Sequence, residues 1–137
     1  MLSHIGIAVK NLDQAIKTYR LLLGCEPAHI VEVSDQQVRV AMFELGDQPA
    51  GHPPRIELLE PTSDSSPIAR FLDKRGEGLH HICTYVEDIE AALQDLTAAG
   101  NRLIDQKPRI GAEGNRIAFV HPASFNGVLI ELEEKPK

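Results

Sequence analysis

The sequence predicts an α+β fold built from two copies of a strand, helix and three-strand module, because the chain repeats itself twice and each copy carries the same helical pattern. The first repeat sets His4-Ile5-Gly6-Ile7-Ala8-Val9-Lys10-Asn11-Leu12-Asp13-Gln14-Ala15-Ile16 over His81-Ile82-Cys83-Thr84-Tyr85-Val86-Glu87-Asp88-Ile89-Glu90-Ala91-Ala92-Leu93, ungapped and 77 positions apart. In the second, Ile56-Glu57-Leu58-Leu59-Glu60-Pro61 resembles Ile130-Glu131-Leu132-Glu133-Glu134-Lys135-Pro136, 74 positions on. Near-equal offsets at both ends mean that whole modules repeat.

Each module opens on a strand in which apolar residues alternate, Ile5, Ile7 and Val9 on one face and His4, Gly6 and Ala8 on the other. A helix follows in each. Leu12, Ala15, Ile16, Tyr19, Leu22 and Leu23 mark its apolar face in the first copy, and Ile89, Ala92, Leu93, Leu96 and Ala99 in the second. Asn11 with Gln14 forms a capping box, Asp88 is an N-cap, and Gly24 and Gly100 stand where a helix stops. Ala28 to Val33, Gln37 to Leu45 and Arg55 to Leu59 read as strands in the first module, Asn115 to Val120 and Val128 to Leu132 in the second. Thr62 to Pro67 reads as a linker, with Ser66 capping a short helix that runs from Pro67 to near Gly76. The expected organisation is a single domain over 1–137, with module one over about 1–61, a linker helix over about 62–77 and module two over about 78–137.

Composition narrows the function. A chain of 137 residues that is 42% hydrophobic and 25% charged is an ordinary globular protein. Its formal charge of −6 argues against nucleic acid, whose binders cluster Lys and Arg. No apolar run exceeds four residues and no basic leader precedes one, so neither membrane insertion nor export is expected. Cys25 and Cys83 lack metal-type spacing and read as buried thiols rather than a disulfide, which fits a reducing, cytoplasmic setting.

The strand face of His4 puts an imidazole beside two very small residues, which leaves room for a ligand. His81 repeats that arrangement, and Glu57 and Glu131 recur in the same way. If a pseudo-twofold axis relates the modules, two imidazoles and two carboxylates from four strands face one cleft. Such a mixed N/O set suits cobalt, zinc, nickel or manganese and leaves positions open for substrate. A lone strand His or Glu is more often a surface group or a satisfied one; the matched recurrence is what points to metal. His29, His52, His80 and His121 have no repeat partner and are read as structural: His80 points away from His81, and His121 is a turn residue before Pro122.

These residues carry a resemblance over nearly the whole chain to the methylmalonyl-CoA epimerases of the vicinal oxygen chelate superfamily. His4-Ile5-Gly6-Ile7-Ala8-Val9 and Gly127-Val128-Leu129-Ile130-Glu131-Leu132 are superfamily-wide motifs. Ile56 to Pro61, Ser66 to Leu72 and Gly78 to Cys83 resemble them as well, and the more specific signals are the Ser66-Pro67-Ile68 helix, the His80-His81 pair and the run from Gly111 to Pro122. The resemblance implies two βαβββ modules forming a curved mixed sheet around a metal cleft, and a homodimer. It implies His4, His81, Glu131 and Glu57 as ligands of one divalent ion, cobalt placed first. It also implies exchange of the proton between thioester and carboxylate of an acyl-CoA, for which Glu131 is the first candidate base and Glu57 the second carboxylate put forward. Some members carry Glu where Val40 stands here, which leaves the second base open, with Glu57 through a water or Glu44 as substitutes. Lys107, Arg109, Arg116 and Gly114 are the expected substrate contacts, Arg116 for the free carboxylate, with Lys74 and Arg75 as further cations near the coenzyme A phosphates. The Gly111 to Gly114 loop either closes over substrate or is a plain hairpin turn. Two other functions compete: a glyoxalase I-type lyase acting on a thiol hemithioacetal, and a metal-free drug-binding resistance protein of the same fold.

Overall fold

The computed structural model describes residues 1–46 and 51–136. The chain forms two compact units, His4–His80 and Met1–Ser3 together with His81–Lys137. Both follow one plan. In the first, β1 (Leu2–Ala8), α1 (Leu12–Leu23), β2 (His29–Val33), β3 (Val38–Glu44) and β4 (Arg55–Pro61) are followed by α2 (Pro67–Arg75). The second has β5 (Gly78–Val86), α3 (Ile89–Ala98), β6 (Arg109–Ile110), β7 (Arg116–Val120) and β8 (Leu129–Glu134). Strands lie in the order β2-β3-β4-β1 in one unit and β6-β7-β8-β5 in the other. In each, the first and last strands pair parallel and the remainder antiparallel, so βαβββ repeats in pairing as well as in order.

The helices end where their local chemistry requires. Asn11 accepts from the Gln14 N–H and Asp88 from the Ala91 N–H, each satisfying a donor that the first helical turn leaves open. Gly24 closes α1 at φ +69, a left-handed conformation that costs a residue with a Cβ more than it costs glycine. Buried Ser66 accepts from the Ile68 N–H and sets Pro67 at the head of α2, whose last turn is closed by the Gly76 N–H on the Leu72 carbonyl.

Packing on the two sheet faces positions the site. In the first unit Leu12 and Ile16 of α1 meet Ala41, Phe43 and Leu58, with Ile7, Ala15, Tyr19 and Leu23 packed against them. Leu22, expected on this face, is 72% exposed: it lies off the stripe set by Leu12, Ile16 and Tyr19. Ala99 is likewise exposed at the cap of α3. The opposite sheet face corrects a second expectation. Ala8 does not border open space; it is core, packed with Val38, Val40, Met42, Leu59 and Ile68 of α2. Only the His4 end of that face is polar. In the second unit Ile89 and Leu93 of α3 meet Ala118, Val120 and Leu132, and there too one sheet face is left for other work. Among the described residues no helix is long and apolar enough to cross a membrane.

Candidate metal centre

Each unit brings one histidine and one glutamate together. In the first, β1 and β4 run parallel with Gly6 opposite Glu57 and His4 opposite Arg55, so period-two alternation sets His4, Arg55 and Glu57 on one face. His4 Nδ1 lies 3.4 Å from Glu57 Oε2, both side chains buried. In the second, β5 and β8 run parallel with Cys83 opposite Glu131, and His81 Nε2 lies 3.2 Å from Glu131 Oε2. Two atoms each about 2.1 Å from one ion and separated by about 100° at it would be roughly 3.2 Å apart. Both pairs have that spacing, and imidazole nitrogen with carboxylate oxygen is a donor set that divalent transition metals accept. The residues present therefore fit a metal, pair by pair.

Their surroundings differ, and sequence patterning did not bring this out. Arg55 donates through Nε at 3.1 Å, and approaches through Nη2 at 3.0 Å, the same Glu57 oxygen that faces His4. Beyond Glu57 this face is apolar, with Met42 opposite Glu57 and Val40 opposite Leu59. Val40 is thus core, and no carboxylate arises there. Glu44 is exposed at the end of β3, opposite Arg55.

The matching face of the second unit is polar. Glu133 is buried two residues beyond Glu131 and accepts from Ser3 Oγ at 3.0 Å, Asn115 Nδ2 at 2.6 Å and the Cys83 thiol at 3.6 Å. The signal for this group lay in two alternations, His81 with Cys83 and Glu131 with Glu133. Burial, and after it the negative charges of Glu131 and Glu133, push the Cys83 thiol far above its ordinary range. In the native protein Cys83 is therefore expected to resist iodoacetamide at pH 8 while half-buried Cys25 reacts first; mass mapping of the alkylated peptides checks the order.

Phe119, paired with Glu131, sets its ring edge-on to His81 at 6.3 Å, and the Arg109 guanidinium lies over that ring at 5.3 Å. Arg109 is thereby brought to the His81 side. Arg116 is not. It projects from the other face of β7 toward α3, held by Glu134 at 2.8 Å and Glu90 at 3.0 Å, which leaves it on the wrong side of the sheet for a carboxylate near His81. Those same hydrogen bonds raise its already high pKa. Lys107 is exposed ahead of β6, and Lys74 and Arg75 are exposed in the last turn of α2. Gly111 and Gly114 form the hairpin turn between β6 and β7; a Cβ on Gly111 would stand 3.0 Å from the Ile117 side chain. His80 packs against Phe71 of α2, and His121 caps a 3₁₀ turn through Nδ1, both structural as expected.

Residues 3–119 match the family model of the Glyoxalase/Bleomycin resistance protein/Dioxygenase superfamily. The chain belongs to that superfamily. Among its superfamily relatives, the mitochondrial methylmalonyl-CoA epimerase of Dictyostelium discoideum is 41% identical over 135 residues, 98% of this chain and 78% of the relative. An ethylmalonyl-CoA/methylmalonyl-CoA epimerase of Cereibacter sphaeroides is 43% identical over 135 residues, 97% of this chain and 96% of that protein. A solved variant of the Streptomyces coelicolor methylmalonyl-CoA epimerase, in complex with 2-nitronate-propionyl-CoA, superposes with TM-score 0.87 at 38% identity, over 98% of this chain and 94% of that one.

Proposed function

We propose that this chain is a methylmalonyl-CoA epimerase, interconverting the (R) and (S) forms through loss and return of the C2 proton. The observation that carries the reading is near-full-length likeness to epimerases in a chain that holds a buried His–Glu pair in each of its two modules.

His4, Glu57, His81 and Glu131 would together hold one divalent ion, with cobalt the first choice and zinc, nickel or manganese as alternatives. Such an ion would supply Lewis acidity for the charge that develops on the thioester oxygen and would orient the acyl group. Glu131 takes the C2 proton as the C–H electron pair moves onto the thioester to give the planar enolate. A water held at Glu57 gives a proton to the opposite face, and the proton on Glu131 passes to the hydroxide left behind, which restores both carboxylates. With Val40 buried in the core, the carboxylates that can serve lie on β4 and β8.

Arg109 and Lys107 contact the coenzyme A phosphates, and Gly114 allows close approach of the turn backbone. Arg116 is withdrawn from the substrate-binding set. A homodimer fits the exposed apolar groups Leu21 of α1 and Ile30 and Val31 of β2. Two free thiols and the bacterial relatives favour the cytoplasm.

The test is a substrate comparison on metal-loaded protein. Conversion of (2S)- to (2R)-methylmalonyl-CoA, read by consumption of the (2R) thioester with an added coupling enzyme specific for that isomer, is expected, with none of the hemithioacetal of methylglyoxal and glutathione consumed. Turnover of the hemithioacetal alone would replace the epimerase with a glyoxalase-type lyase.

A further inference from the structure

Arg55 is a cation at the first module's His–Glu pair that has no cationic counterpart at the equivalent position of the second. It lies two residues before Glu57 on β4, its side chain 14% exposed against 9% for Glu57, and its Nε and Nη2 both approach Glu57 Oε2. The position equivalent to Arg55 in the second module is Leu129, opposite His81 as Arg55 is opposite His4. The guanidinium is therefore an addition to one half of a repeated plan. At such low exposure its charge is weakly screened by solvent.

Charge counting shows what the addition does. Two neutral imidazoles and two carboxylates cancel the charge of a divalent ion, and a substrate that brought its own carboxylate would leave that site with a net negative charge before any proton is lost. Arg55 offsets Glu57 and restores one positive charge. Glu44, exposed at the strand end opposite Arg55, is another acid on this face, and His4 and, through its pairing with Met42, His29 are titratable groups that share it. We infer that Arg55 is a specificity-determining residue that fits the metal site to acyl thioesters bearing a free carboxylate beside the reacting carbon, in preference to neutral thioesters. This rests on the epimerase reading and extends it from reaction to substrate class.

The test uses the full chain loaded with cobalt, as wild type, R55Q, R55K and the double variant R55Q/E57Q. Its readouts are the visible d–d absorption of bound cobalt and the equilibrium affinities for methylmalonyl-CoA and propionyl-CoA. R55Q is expected to retain cobalt absorption, to lose at least about 10-fold in affinity for methylmalonyl-CoA and to change less than about twofold for propionyl-CoA. R55K, which keeps the charge but not the fork, recovers part of the difference, and R55Q/E57Q recovers more of it by removing the uncompensated carboxylate. Equal losses for both esters, or disappearance of the cobalt spectrum in R55Q and R55K alike, would overturn the inference and leave Arg55 as a support for Glu57. Wild-type protein that binds both esters equally would overturn the inference and the epimerase reading together. Wild-type discrimination that survives unchanged in R55Q would sink the inference alone.

Discussion

His81→Ala is expected to abolish epimerisation by about 10³-fold or more while leaving the chain folded. The side chain lies on the polar face of β5, against Glu131 and the edge of Phe119, and not in the core formed by α3 with Ala118, Val120 and Leu132. Its loss removes one of two nitrogen donors from the proposed ion, and metal assistance is worth several kcal/mol of transition-state stabilisation, each 1.36 kcal/mol of which is about a decade in rate. His80→Ala is the internal control. It changes the adjacent residue in the same strand, but alternation sends that ring to Phe71, so its exchange rate is expected to stay near that of wild type. Stopped assays on the two variants, with circular dichroism to establish folding, separate a ligand from a neighbour.

The largest stability effect is expected at Phe43. Its ring is fully buried (0% exposed) among Leu12, Ile16, Ala41 and Leu58, with Tyr19 at 6.4 Å between centroids. Phe43→Ala removes a whole aromatic side chain from under α1 and leaves a cavity that the sheet cannot close, at a cost of about 3–5 kcal/mol. Out of a total stability of roughly 5–15 kcal/mol, that lowers the urea midpoint sharply and the melting temperature by about 10 °C or more. Leu22→Ala, at a position exposed to solvent, is expected to change stability by less than about 0.5 kcal/mol. Urea melts of the two variants test whether the helix face runs through Leu12, Ile16 and Tyr19 as the packing indicates.

Much of this architecture was legible because the chain states it twice. The ungapped match of His4–Ile16 to His81–Leu93 carried two strands, two helices and two histidines together, and Asn11, Asp88 and Ser66 cap where local hydrogen-bonding chemistry requires. What escaped was set by contacts between elements. β6 spans two residues, too few for a period to register. In β7 the run Ile117-Ala118-Phe119-Val120 is apolar on both faces, so alternation alone could not say that the face of Arg116, Ala118 and Val120 is the one that meets α3. Ala8 read as small and therefore roomy, yet α2 covers it with Ile68. Arg55 and Glu133 were legible in principle, each two residues from a glutamate already singled out, but their burial and partners depend on neighbouring strands.

The central claim, that the paired histidines and glutamates hold one metal at which the C2 proton is exchanged, is tested most directly by proton NMR of methylmalonyl-CoA in deuterated buffer. The protein is first stripped with chelator and then refilled with cobalt. The account predicts no loss of the C2–H signal with stripped protein and rapid loss, with racemisation, once cobalt is restored. Exchange that proceeds at the same rate without metal, or none from folded and cobalt-loaded protein, would contradict it.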